Sequence, residues 1–138
     1  IIGIPNDPSN EARALLLLQK VGLIQLKDTG SALASVRDIV SNPKQLQFKL
    51  LDAAQLPRVL KDADLVALTN DFVAPAGFTI KQALVQEGAD SNYANIIVAK
   101  KEDVNDKRLA QLVDVMHSKE VVKVTEEIFP NGAAIAAW

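Results

Sequence analysis

Three side chains stand out for what they can grip. Arg13 lies in PNDPSNEARALLLL, where turn residues give way to an apolar helix. Asn70 follows the apolar run DLVALT, and Asn95 opens the apolar run NIIVAKK. A guanidinium can hold a carboxylate with two parallel hydrogen bonds. An asparagine presents a donor and an acceptor together, so it suits either an ammonium or a carboxylate. Arg13 reads as a first-turn residue, where a cation opposes the partial positive charge of a helix N-terminus. Its presence makes sense if it helps hold an external anion beside N–H groups that the helix leaves free. Local alternatives stand beside this. Arg13 can pair with Asp7 or Glu11, and each asparagine can serve a turn or cap of its own. Taken singly, the local reading is the stronger for all three.

Other chemistry is poorly provided for. There is one histidine, His117, and no cysteine. Carboxylates could bind calcium, but no EF-hand-like spacing occurs. A Ser-His-Asp arrangement would have to use His117, and no Gly-x-Ser-x-Gly elbow is present. His117 ends a helical pattern and reads as a surface residue near a favourable dipole end. Glu126 and Glu127 read as a solvated helix face. Gly3 stands alone before Pro5, so there is no Gly-rich phosphate loop. The expectation is a protein with no catalytic residues, no metal and no cofactor.

These residues need elements to position them. The chain has 138 residues, 49% of them apolar, which suffices for a domain with a real core. Fifteen basic against seventeen acidic residues give a net charge of -2 with no long basic run, so nucleic acid is not an expected partner. No apolar stretch approaches the length of a membrane span. Without cysteine there is no disulfide framework.

IIGI reads as a buried strand, and Asp7, Ser9 or Asn10 can cap the helix that runs to about Val21 and Gly22. Leu23 to Asp28 is extended or irregular. Ser31 can cap a second helix, SALASVRDIVS, ended by Asn42-Pro43. LQFKLLDA alternates Leu46, Phe48 and Leu50 as a strand, AAQLPRVLKDA is a short helix, and DLVALT is another strand. NDFVAPAGF is a turn or short helix. Residues 83–92 form a polar loop around Gly88-Ala89-Asp90, and ANIIVAKK is a fourth strand. NDKRLAQLVDVMHS and SKEVVKVTEEIF are amphipathic helices, and Phe129 and Trp138 are candidate anchors for the C-terminus. Alternating strands and helices imply α/β with a mainly parallel sheet. After about residue 98 only helices follow, and they need a surface to pack on. The opening Ile1-Ile2-Gly3-Ile4, without an initiator Met, reads as the inside of a strand and suggests a fragment or a processed chain.

The stretch IPNDPSNEARALLLLQKVGLIQLKD resembles the central part of the methionine-binding lipoproteins of bacterial ABC importers, the NlpA lipoprotein family. DIVSNPKQLQF, LDAAQLPRVLKDADLVALTN, SNYANIIVAKKED and IFPNGAAIAAW agree in order, so the resemblance covers essentially the whole chain. It implies a type 2-like periplasmic binding protein in which two α/β lobes close on a ligand. Residues 1–94 would form the second lobe. Residues 95–138 would form the crossing strand and the C-terminal helices of the other lobe. The resemblance further implies that Arg13 binds an amino-acid carboxylate and that Asn70 and Asn95 also contact the ligand.

The implied ligand is L-methionine, a related amino acid or a small methionine peptide, and the implied partner is a membrane permease. The implied location is the periplasm or the outer face of the cytoplasmic membrane, by a lipid anchor. The family's FQHQPY-like pocket motif and its lipid-bearing cysteine do not occur in these 138 residues. On that reading the apolar half of the site is missing. The chain is then expected to self-associate or to sit beside the missing N-terminal segment as a second chain. A competing reading is an effector-sensing or interaction domain of the same architecture. An enzyme ranks last, for want of a catalytic pair.

Overall fold

The computed structural model describes residues 1–28, 33–89 and 91–138, Asn131 for its backbone only. The chain divides into two compact units, Ile1–Gln82 and Ala83–Trp138.

The first unit is built around β1 (Ile2–Pro5), all four residues of which are buried. A short, continuously apolar strand suits the centre of a parallel sheet covered on both faces. β1 is flanked in parallel by β4 (Phe48–Leu51) and β5 (Leu65–Val66), giving the order β4-β1-β5. Ile2 faces Phe48 on one side and Leu65 on the other. Side chains alternate across a strand. Ile2 and Ile4 join Ala14, Leu15 and Ile24 in the core, so this face is covered by α1 (Pro8–Lys20). Burying each large side chain fully stabilises the fold by about 1.5–3 kcal/mol. Gly3 faces the other way. A Cβ on Gly3 would lie 3.1 Å from side-chain atoms of both Leu56 and Val66. Leu56, fully buried, belongs to α2 (Leu56–Val59), so α1 and α2 cover opposite faces of β1.

α1 starts and stops as its sequence demands. Asp7 caps it and Pro8 occupies the first turn, where a missing N–H costs nothing. At its end Gly22 has φ 75°. The Gly22 N–H donates to the Gln19 carbonyl at 2.9 Å and the Leu23 N–H to the Leu18 carbonyl at 3.0 Å. This left-handed glycine cap closes the last carbonyls.

The described residues 33–41 depart from the expected helix. Ser31 lies outside the described residues. Only a 3-10 turn, Val36–Asp38, forms, and β3 (Ile39–Ser41) follows, pairing antiparallel with β2 (Gln25–Leu26). The Ser35 N–H and hydroxyl both donate to the Asp38 carboxylate, at 2.8 and 2.9 Å, which closes a single turn. The β-branched Ile39 and Val40 then favour extended backbone. Of the alternating apolar residues around β4, Leu46 and Phe48 pack against the core, whereas Leu50 on this edge strand is exposed.

The second unit holds two helices, α3 (Lys107–Met116) and α4 (Lys119–Ile128), as their apolar periodicity predicts. Asp106 caps α3 by accepting from the Arg108 N–H at 2.8 Å, and Ser118 caps α4 by accepting from the Val121 N–H at 3.3 Å. The fourth strand expected over 94–100 does not form: no residue there enters a ladder among the described residues. Ile96 and Val98 are 78% and 80% exposed. The composition is that of a strand, but a strand needs a neighbour to accept its hydrogen bonds. Phe129 and Trp138 are likewise exposed rather than buried anchors. Trp138 instead stacks on His117, with ring centroids 4.5 Å apart and planes 14° from parallel.

Candidate functional site

In an open parallel sheet, ligands bind outside the carboxyl ends of the strands, where connections leave for opposite faces. That edge is defined in the first unit. The Asn6 N–H donates to the Leu51 carbonyl at 2.9 Å, and the Ala67 N–H to the Gly3 carbonyl at 2.9 Å, each just past a strand end. The connection after β1 carries Asn6 and Asp7 into α1. The connection after β5 runs through Leu68 and Thr69 to a 3-10 turn, Asn70–Phe72. Because β1 and β5 are parallel neighbours, both connections leave from the same edge.

The N-terminus of α1 is already occupied by an anion of the chain. The Asp7 carboxylate accepts from the Asn10 backbone N–H at 3.0 Å and from its side-chain amide at 3.1 Å. The Asn10 N–H, the largest influence, holds the Asp7 carboxyl below its usual range, against a smaller opposing effect of burial. Since Pro8 has no N–H and the Glu11 N–H goes to the Asp7 carbonyl, few free donors remain at that helix end. A helix N-terminus open to an external carboxylate, as the sequence suggests, is therefore not what the structure presents.

Arg13 also stands elsewhere than expected. With the helix starting at Pro8, Arg13 lies in the second turn, about 7.5 Å along the axis at 1.5 Å per residue. The field of the helix end fades within its first turn, so the conflict that singled out Arg13 is weaker than its sequence position implies. The side chain is half-buried and engages another group of the chain. Asn70 is exposed at the start of its 3-10 turn and is also engaged within the chain. Arg13 and Asn70 thus share the first unit, whereas Asn95 belongs to the second, exposed in a segment without regular structure.

Glu11, which the sequence offers as a local partner for Arg13, has a structural task of its own. Glu11 is only 8% exposed, and its carboxylate accepts from the Val36 N–H at 2.9 Å. It ties the front of α1 to the 3-10 turn twenty-five residues on. The signal was its place between the cap and the buried Ala12 and Leu15, on the inward side of the helix. Asp38, across that turn, is held below the usual carboxyl range, first by the Ser35 N–H and then by its hydroxyl. Among the described residues no group of three or more His, Asp or Glu side chains could hold a metal ion.

The sequence pattern of the NlpA lipoprotein family matches residues 1–138, and the chain belongs to that family. It is 41% identical over 138 residues to the probable D-methionine-binding lipoprotein MetQ of Vibrio cholerae, covering 99% of this chain and 51% of that protein. The chain spans about half the length of the curated relatives it matches. Among solved structures, a periplasmic substrate-binding protein of an ABC transporter from Coxiella burnetii is 49% identical. It superposes with TM-score 0.76 over 95% of this chain and 55% of its own. A nutrient-binding protein from Burkholderia cenocepacia, solved bound to methionine, is 39% identical with TM-score 0.78 over 99% of this chain and 58% of its own. The fold is accordingly α/β, of the periplasmic substrate-binding kind. The names of these relatives are those of binding proteins and lipoproteins.

Proposed function

We propose that the chain is part of the substrate-binding component of an ABC importer. It takes L-methionine or a closely related amino acid between two lobes and performs no bond chemistry. The observation that carries this reading is the likeness to the methionine-bound Burkholderia cenocepacia protein over 99% of the chain. Arg13 holds the ligand carboxylate, and Asn70 and Asn95 hold its remaining polar groups. Asp7 already caps α1, so the guanidinium carries the charge recognition. The lobe boundary falls at 94/95 in this reading, within the second of the two compact units. Delivery is to a membrane permease, and the setting is the periplasm or the outer face of the cytoplasmic membrane, with lipid anchoring.

The same reading accounts for the bare apolar surface of the second unit. Val104, Leu112, Val115, Val124 and Ile128 are exposed, and apolar surface on this scale drives association. A further segment like the other half of the relatives, or a second copy, covers it. The site is then complete only with that cover, because apolar enclosure supplies much of a pocket's affinity.

The test is native mass spectrometry of the chain, followed by calorimetric titration with L- and D-methionine. Titration is repeated after adding the half of the Vibrio cholerae relative that this chain does not match. Self-association alone and saturable methionine binding in the mixture support the reading. A monodisperse, non-associating chain would contradict the cover. No methionine binding in a mixture that does form a complex would contradict the ligand.

A further inference from the structure

The chain has one histidine and one tryptophan, more than twenty residues apart, and the fold stacks them face to face. His117 sits at the C-terminal cap of α3, its backbone N–H donating to the Val113 carbonyl at 2.9 Å. Trp138 ends a tail, residues 133–138, that has no charged side chain and no regular structure. Trp138 is 61% exposed, so burial holds it only in part, and its indole lies flat against the His117 ring.

We propose that this stack is a proton-sensitive latch that holds the C-terminal tail on the end of α3. A neutral imidazole offers the indole only ordinary stacking. A protonated one parallel to the indole face adds a cation–π attraction, for which tryptophan is the best partner. Only the stack differs between docked and free tail, so protonation tightens the latch and deprotonation loosens it.

The ionisable groups within three residues of His117 are Asp114 on α3 and Lys119 and Glu120 at the start of α4, with the carboxyl group of Trp138 on the stacked residue itself. Ordinary carboxyls and lysines keep their charge between pH 6 and 8, whereas histidine changes its charge in that window. An attraction of the size usual at exposed sites shifts the ratio of docked to free tail by about two- to five-fold.

Trp138 is its own reporter. Acrylamide quenching of its fluorescence reads how open the tail is, and work at pH 6.0 to 8.0 stays above the sequence pI of about 5.4. The quenching constant is expected to rise from pH 6.0 to 8.0 in the native chain. It should not change with pH in His117→Phe, which keeps an aromatic stack without the proton, or in His117→Gln. Chains extended by a few Gly and Ser residues after Trp138 should keep the dependence. Equal quenching of the native chain at both pH values would overturn the proposal. So would a pH dependence that survives in His117→Phe, or one that disappears when the terminal carboxyl is moved away.

Discussion

The two units have similar proportions of apolar residues and use them to different ends. In the first, Ile2, Ile4, Leu15 and Leu56 are sealed from solvent by strands and helices of the same unit. In the second, no described residue is buried, and the apolar faces of both helices stand open. The difference lies in partners rather than in propensity. α1 has β1 to pack on, and β1 has a neighbour on each edge. α3 and α4 are equally well capped, yet no sheet forms beneath them among the described residues. Helical periodicity and good caps make a helix; only a facing surface makes it part of a core.

The contrast can be broken most forcefully in the core. Leu15→Ala should cost about 2–5 kcal/mol, the usual range for emptying a sealed aliphatic site, read as a lower urea midpoint. A cost under 1 kcal/mol would mean that the first unit is as loosely held as the second.

Ligand recognition ranks next. In the reconstituted mixture, Arg13→Ala should weaken methionine binding by roughly 1.5–3 kcal/mol, the scale of a hydrogen bond to a charged group, without lowering the melting temperature of the first unit. Unchanged affinity would remove Arg13 from the site. Asn70→Ala and Asn95→Ala should each weaken binding by about 1–3 kcal/mol in the same calorimetric assay, as expected when a buried partner is left unpaired. Because these asparagines lie in different units, an effect at Asn70 alone would confine the site to the first.

Asp7→Ala should cost about 0.5–2 kcal/mol through loss of the helix cap. The folded carboxyl titrates below its ordinary value of 3.8, so its contribution is present above that pH and fades as the pH falls through the folded value. Acid unfolding curves of the native chain and Asp7→Ala should therefore converge toward low pH, and a constant gap would contradict the cap. The smallest effect sharpens the comparison from the other side. Leu112→Ala on the exposed face of α3 should change stability by no more than about 0.5 kcal/mol in the chain alone, as at other surface positions. A loss as large as that of Leu15→Ala would show that the second unit has a core after all.

What the sequence reveals follows the same division. α1 is readable because its signals are local: Asp7 and Pro8 at one end, Gly22 at the other and a run of good helix formers, Ala12 to Leu18, between. The helix expected at 31–41 went wrong because Ser35 and Asp38 close on each other within one turn, while Ile39 pairs with a strand thirteen residues back. The strand expected at 94–100 went wrong because pairing joins two segments, and composition describes one. For the candidate site, residue types single out Arg13, Asn70 and Asn95, while the same sequence offers Asp7, Ser9 or Asn10 as the cap; the fold selects Asp7, and the helix end is filled by it.

The order of strands has a consequence for how the protein is made. β1 lies at the centre of its sheet, yet Ile2 pairs with Phe48 and Leu65, far later in the chain. A ribosome adds about 5–20 residues per second, so the central strand emerges on the order of ten seconds before its second neighbour exists. Until then it is an apolar segment with two open edges, and its safety during synthesis depends on α1 or a chaperone covering it.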